Sequence, residues 1–370
     1  MVKVRINPLF LDEFKGLIET IPKKDYKEKN ESKNIQENKN NDEFKDWKYE
    51  YCNSTRKYYK YPIFIFTLTD TVIEVLTKIF GKCNKQSLWY KKEDNLDKVN
   101  IDVDETDMTQ NKYTIYVISK GRWMYNYTIK SLIKIGITNY KLVIEEEELD
   151  QYINSGIDVN KIICFNNTIK NNSGIPVRNF VWEHSILNKE TRHWILDDNI
   201  DGFFRWNRNK RELVNSPYTF RQIEDYTDTK KNVMICGMNY FCFNPNIDYT
   251  RKIFIKNTRI YSCILLNNFI PKLDEKWRGI FNEDTDLSLR ILKLGYGTLL
   301  FNNYLCGKKT TGTMNGGNKL LYDNFTQEGY RQKTQSLIDQ HPNLVSFCKR
   351  YKKEFHHIVN YKPFINNKLI

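Results

Sequence analysis

The chain has 370 residues, with 58 Lys and Arg against 45 Asp and Glu, a formal charge of +13. That length buries a sizeable core without staples, and the basic excess favours a polyanionic partner such as DNA or RNA, although Lys, Asn, Ile and Tyr abound together as in an AT-rich coding sequence. No apolar run approaches the ~20 residues of a membrane span and MVKVRINPLF lacks a signal-peptide core, so a cytoplasmic protein with no membrane partner is expected; the eight cysteines are scattered without a CxxC pair, which argues against a zinc site and for reduced thiols.

Residues 22–60 are rich in Lys, Glu and Asn and poor in aliphatics, the composition of a solvated segment. A β-branched and aromatic run at 61–80 predicts an ordered element, and a second acidic linker ends near Asn111. Residues 1–110 are therefore read as an N-terminal extension, 111–318 as the main domain and 319–370 as a basic helical segment packing on it.

From Lys112 onward apolar runs alternate with helical periodicity, the pattern of βαβ units. Strands are predicted at 112–119, 141–147, 161–165 and 193–199, with helices at 127–136 and 176–187, the latter carrying Pro at an early position. The fold class is thus α/β, a mainly parallel Rossmann-like sheet flanked by helices. In that order Asp197, Asp198 and Asn199 close the fourth strand, at the sheet edge where open α/β folds bind ligands.

The run Trp194-Ile195-Leu196-Asp197-Asp198-Asn199-Ile200-Asp201 is an apolar strand ending abruptly in carboxylates. A diphosphate leaving group calls for a hard cation with oxygen ligands, and this DxD-like cluster suits Mn2+ or Mg2+ on Asp197, Asn199 and Asp201, with Asp198 toward a ribose. The bland reading is a solvated strand-end turn. A second cluster, Phe281-Asn282-Glu283-Asp284-Thr285-Asp286, precedes a helical stripe; Asn282 reads as an N-cap, and the acids either stabilise the helix start or supply a general base, Asp284 first and Glu283 second.

Weaker signals surround these two. Ser119-Lys120-Gly121-Arg122 and Gly174-Ile175-Pro176-Val177-Arg178-Asn179 are glycine-bearing turns whose Arg and Asn suit phosphate or ribose. The loop at 308–318 is basic, hydroxylated and glycine-rich, with Lys308 the residue best placed to meet phosphate. His356 and His357 follow a basic run, and His357 is a candidate late metal ligand. The segment FFRWNRNKR, with Arg205 and Trp206, and the tail from Lys319, with nine basic and four acidic residues, suit phosphate contact with base stacking or merely form a solvated basic face.

Taken in order, YVISKGRW, VIEEEE, GIPVRNFVWEHS, HWILDDNIDGFFRW, MICGMNYFCF, IYSCILLNN, WRGIFNEDTDLSLRILKLG, KKTTGTMNGGN and FHHIVNYKPF resemble the TET-associated glycosyltransferase family over roughly residues 112–365. The resemblance implies a GT-A fold, a UDP-sugar donor, a divalent metal and an acceptor of 5-hydroxymethylcytosine in DNA. It implies a donor site at Ser119, Arg122, Arg178, Asp197 and Asn199, and Lys120, Glu145, Asn179, Asp198 and Lys308 are further donor-binding candidates. An acceptor approaches by Trp277, Arg278 and the Glu283-Asp284 pair, with Arg205 and Trp206 on the DNA. A protein or glycan acceptor, or a metal nuclease built on Asp197, Asp201 and Asp284, are the competing readings; the sugar, its anomeric outcome and the oligomeric state stay open.

Overall fold

The computed structural model describes residues 108–167, 174–207, 210–243, 254–309, 326–350 and 353–370, with the strand backbones at 47–48, 82–83 and 88–91. The chain forms two compact units, Met1–Asp102 and Val103–Ile370. In the first, β1 (Trp47–Lys48), β2 (Lys82–Cys83) and β3 (Leu88–Lys91) pair antiparallel in the order β1-β3-β2. The ordered run expected at 61–80 lies outside the described residues, as does most of the 308–318 loop.

The second unit carries one large sheet. Its strands are β4 (Ile115–Ile118), β5 (Tyr140–Glu145), β6 (Ile162–Phe165), β7 (Arg192–Asp197), β8 (Ile200–Asn207), β9 (Lys210–Leu213), β10 (Val233–Tyr240), β11 (Phe254–Lys256), β12 (Cys263–Asn267) and β13 (Gly297–Lys308). The order is β6-β5-β4-β7-β12-β10-β13-β8-β9, with β11 on the edge of β13 beside the stretch taken by β8. Strands β4 to β7 are mutually parallel, as the βαβ pattern predicts. Only β12, β8 and β11 run against the rest, so the sheet is mixed but mainly parallel, as expected.

Helices α1 (Tyr127–Lys134), α2 (Leu149–Asn154) and α3 (Ile175–Leu187) connect the parallel strands, and α3 packs on β4 and β7 while α1 packs on β8. Strand β7 is buried along nearly its whole length, the signature of a strand covered on both faces. On one face Trp194 and Phe203 both meet Phe220 of α4 (Tyr218–Asp228) edge-on, with ring centroids 4.9 and 5.1 Å apart. Such geometry adds about 0.5–1.5 kcal/mol per pair beyond burial. On the other face Ile195 joins Tyr116, Val143, Trp182, Ile264, Trp277 and Leu287 in the main core.

Helix α5 (Glu283–Lys293) is buried on two sides. Leu287 and Ile291 enter the main core, whereas Leu289 and Leu292 pack with Leu337, Val345 and Phe364 of the C-terminal segment. That segment is not helical throughout: α6 (Gln327–Gln340) is followed by a hairpin of β14 (Val345–Arg350) and β15 (Lys353–Val359). Pro342 stops helix continuation just past α6, and the aromatic and β-branched residues beyond it favour strand. His356 and His357 therefore sit on a strand rather than a helix.

Strands β10 and β12 approach closely at Gly237, where a Cβ would stand 2.2 Å from the Cys263 carbonyl oxygen and 2.6 Å from Ile260 Cγ2. The first contact is to the β12 backbone and the second to the fully buried Ile260, so neither neighbour can swing away. Gly237→Ala is expected to lower stability by about 1–3 kcal/mol, read as a fall in the thermal unfolding midpoint.

Candidate functional site

The carboxyl ends of β4, β5, β6 and β7 open on one cleft of about 380 Å³, closed on its far side by the starts of α3 and α5, the end of β13 and the strand β15. Pockets of this size accommodate small ligands. The Asp197-Asp198-Asn199 strand end and the Asn282-Glu283-Asp284 turn, far apart in sequence, both line it.

Arg178 joins the two clusters. It rises from the first turn of α3, its side chain is 7% exposed, and its Nη2 donates to Asp197 Oδ1 at 3.1 Å while its Nε lies 3.4 Å from Glu283 Oε1. Trp277 stacks under the guanidinium at 5.0 Å. Asp197 Oδ2 accepts from Lys308 Nζ at 2.6 Å and from Ser262 Oγ at 2.7 Å. Burial by itself pushes the Asp197 carboxyl up, but Lys308 and Arg178 outweigh it and hold the group well below the usual carboxylate range. Lys308, whose burial opposes its charge, is held above its ordinary value by Asp197. Tyr240 completes this cluster, accepting from Lys308 Nζ at 3.2 Å and bonding Ser262 Oγ.

Asp198 is held separately. It accepts from Ser119 Oγ at 2.7 Å and from Arg122 Nη1, and Ser119 in turn meets the Tyr152 hydroxyl at 2.6 Å. Gly121, at φ +65°, turns the chain between them, and its N–H is clamped by both oxygens of Glu148 at 2.9 Å. Lys120 Nζ bonds Glu145 Oε1 at 2.7 Å at the end of β5, and Asn167 donates to the same oxygen. Burial tends to raise Glu145, yet Lys120 and Asn167 keep it lowered.

At the α5 start, Asn282 adopts φ +56° and donates to the Lys333 carbonyl at 3.0 Å instead of capping the helix as expected. Burial, together with the neighbouring Asp284 and against the pull of Arg178, raises the Glu283 carboxyl. Asp284 Oδ1 accepts from the Thr285 N–H at 2.6 Å. Two of the six non-glycine residues with positive φ among those described, Ser262 and Asn282, face this cleft; stored backbone strain of this kind concentrates at functional sites.

The cleft gathers Ser119, Lys120, Arg122, Glu145, Arg178, Asp197, Asp198, Asn199, Glu283, Asp284, Lys308 and His357. Others fall elsewhere. Asn179 exchanges two hydrogen bonds with the Trp277 backbone, at 2.9 and 3.0 Å, and so anchors a loop rather than facing a ligand. Trp277 is fully buried in the core, and Arg278 turns to Asp286. Arg205 is buried on β8 beside Glu212, and the side chain of Trp206 lies outside the described structure. Asp201 pairs with Lys309 at 2.9 Å, away from the cleft wall. His357 Nε2 faces Arg259 at 3.3 Å, and burial, with that cation, depresses its pKa to about 3. Sequence reasoning missed Arg259, Tyr240, Tyr261 and Ser262; nothing local marks them, because each acts through partners distant in the chain.

Of the expected metal ligands, Asp197, Asn199 and His357 line the cleft and Asp201 does not. Among the described residues no group of three or more His, Cys, Asp or Glu comes together as a metal site. Asp197, Asp198 and Asp201 each already face a cation.

The sequence model of the TET-Associated Glycosyltransferase family matches residues 113–317, more than half of the chain and all four strands of the cleft edge. The chain belongs to that family. It is a glycosyltransferase, and the mixed, mainly parallel sheet under the cleft is the architecture that the GT-A resemblance predicts. No curated protein shows a significant match. The crystal structure of GalNAc-T7 with UDP, GalNAc and Mn2+ is similar over 74% of this chain at TM-score 0.37 and 11% identity. The chain spans about 60% of that protein's length, and a likeness this distant says nothing of donor or metal here. No helix among the described residues of this glycosyltransferase is long and apolar enough to cross a membrane.

The Asp198 cluster gives a graded prediction for this enzyme. Asp198→Ala leaves Arg122, 14% exposed, without its carboxylate, a loss on the order of 3 kcal/mol; Ser119→Ala removes one neutral donor at about 1 kcal/mol. Chemical denaturation midpoints should follow that order.

Proposed function

We propose that this glycosyltransferase moves a sugar from a UDP-sugar to the hydroxymethyl group of 5-hydroxymethylcytosine in DNA. The observation that carries the donor half is the Arg178 bridge, which brings a buried cation and the Asp197 strand end to within reach of the Glu283-Asp284 turn in one cleft. The acceptor half rests on family membership and on the basic rim: Arg259 and Lys333 line the cleft, and Lys349 and Arg350 are exposed on β14 beyond it.

In this reading the nucleotide lies over the carboxyl ends of β4 and β5. Ser119, Arg122 and Asp198 hold the ribose side, and Lys120, Glu145 and Asn167 face the base. Asp284 takes the proton from the acceptor hydroxyl as that oxygen attacks the anomeric carbon, while the bond to the diphosphate breaks and UDP leaves with the electron pair. Glu283 is the poorer base because Arg178 already engages it. A target base in duplex DNA must be extruded to reach the cleft, which costs a few kcal/mol and is compensated by phosphate contacts on the basic rim. Mn2+ or Mg2+, expected from the sequence, has no step here, because the residues present do not fit it.

Two experiments test this. Hydroxymethylated duplex DNA incubated with a panel of UDP-sugars should gain a hexose mass on the modified base, whereas unmodified DNA gains none; mass gain only on a protein or glycan would move the acceptor, and donor-independent nicking of plasmid DNA would favour a nuclease. Asp284→Asn should lower kcat by about 10²–10⁴ with donor binding intact, measured by single-turnover transfer and by calorimetry with UDP.

A further inference from the structure

We infer that the diphosphate of the donor is neutralised by Lys308 and Arg178, and that Asp197, where a metal would be expected to bind, serves instead as the anion holding these two cations in place. The inference rests on the UDP-sugar reading above. It removes the divalent cation from the reaction.

A carboxylate offers roughly four lone-pair directions. Three of those on Asp197 are taken by Arg178, Lys308 and Ser262. A hard dication at the fourth, at roughly 2.1 Å from the oxygen, would share that carboxylate with two fixed positive charges. The neighbouring acids offer no way round. Asp198 is occupied by Arg122 and Ser119, Asp201 by Lys309, and His357 Nε2 faces the Arg259 guanidinium. Asn199 Oδ1 is buried and has no hydrogen-bond partner among the described residues, but a single neutral oxygen is no home for a dication.

The cations, by contrast, are arranged for an anion. Arg178 lines the cleft, and its Nη1 is buried and has no hydrogen-bond partner among the described residues. A buried guanidinium donor left open calls for an acceptor, and a phosphate oxygen is the one that matches its geometry and charge. Lys308 Nζ spends two of its three donors on the neutral hydroxyls of Ser262 and Tyr240, which phosphate oxygens would replace with stronger, charge-assisted bonds. When the anomeric bond breaks and the acceptor proton passes to Asp284, the charge that gathers on UDP meets these two side chains.

The test is UDP binding to the full chain by calorimetry, with EDTA and with Mn2+ in parallel, and uridine as the control without phosphates. Equal UDP affinity in the two buffers, within about twofold, is expected. Lys308→Met should weaken UDP by about ten- to a hundredfold in both buffers and leave uridine unchanged, and Lys308→Arg should recover much of the loss. Binding of UDP that appears only with Mn2+ would overturn the inference, as would a Lys308→Met chain that loses uridine as strongly as UDP. If wild-type chain binds UDP in neither buffer, the donor reading itself is wrong.

Discussion

A carboxylate drawn out of bulk water calls for cations to meet it, and Asp197 is such a carboxylate, half-buried at the end of a strand that is buried along nearly its whole length. Its solution recruits Arg178 from α3, Lys308 from the end of β13 and Ser262 from the turn into β12. Three separate elements are thereby tied to β7 at one point. Arg178 then extends the tie to α5 through Glu283, so the cleft is held together by the same charges that give it its chemistry.

Rigidity behind the cleft comes from α5. Packed on the sheet on one side and on the C-terminal segment on the other, it also buries Asp286, which accepts from Arg278, Arg290 and His341. Burial works against ionisation of Asp286, yet His341, Arg278 and Arg290 keep its pKa lowered. A helix so fixed holds Glu283 and Asp284 at its start, and positions held in this way are the preorganisation that the proposed proton transfer needs. The stretch that matches the family and the basic segment after it belong to one folded unit, since Leu289 and Leu292 of α5 find their partners beyond residue 330.

The four parallel strands, their helices and the placement of the Asp197-Asp198-Asn199 run at a sheet edge were legible in the chain. Apolar period and glycine or proline punctuation are local, and they suffice for βαβ units. Roles were less legible. Trp277 and Asn179 stand in stretches that carry the family resemblance, yet the first fills the core and the second binds a backbone. The segment 319–370 reads as helical from its basic, polar composition, but the histidine pair within it is on a strand because β15 pairs with β14.

By itself, then, the sequence determined the order of elements and which residue types stand at the ends of strands, because those properties depend on neighbours within a few positions. Only the tertiary structure decided which charges meet. Asp197 and Lys308 are 111 positions apart, and Asp197 and Ser262 are 65. No local pattern encodes such pairings; they exist because a mixed sheet brings the ends of β7 and β13 and the start of β12 to one edge, where a half-buried carboxylate must be answered.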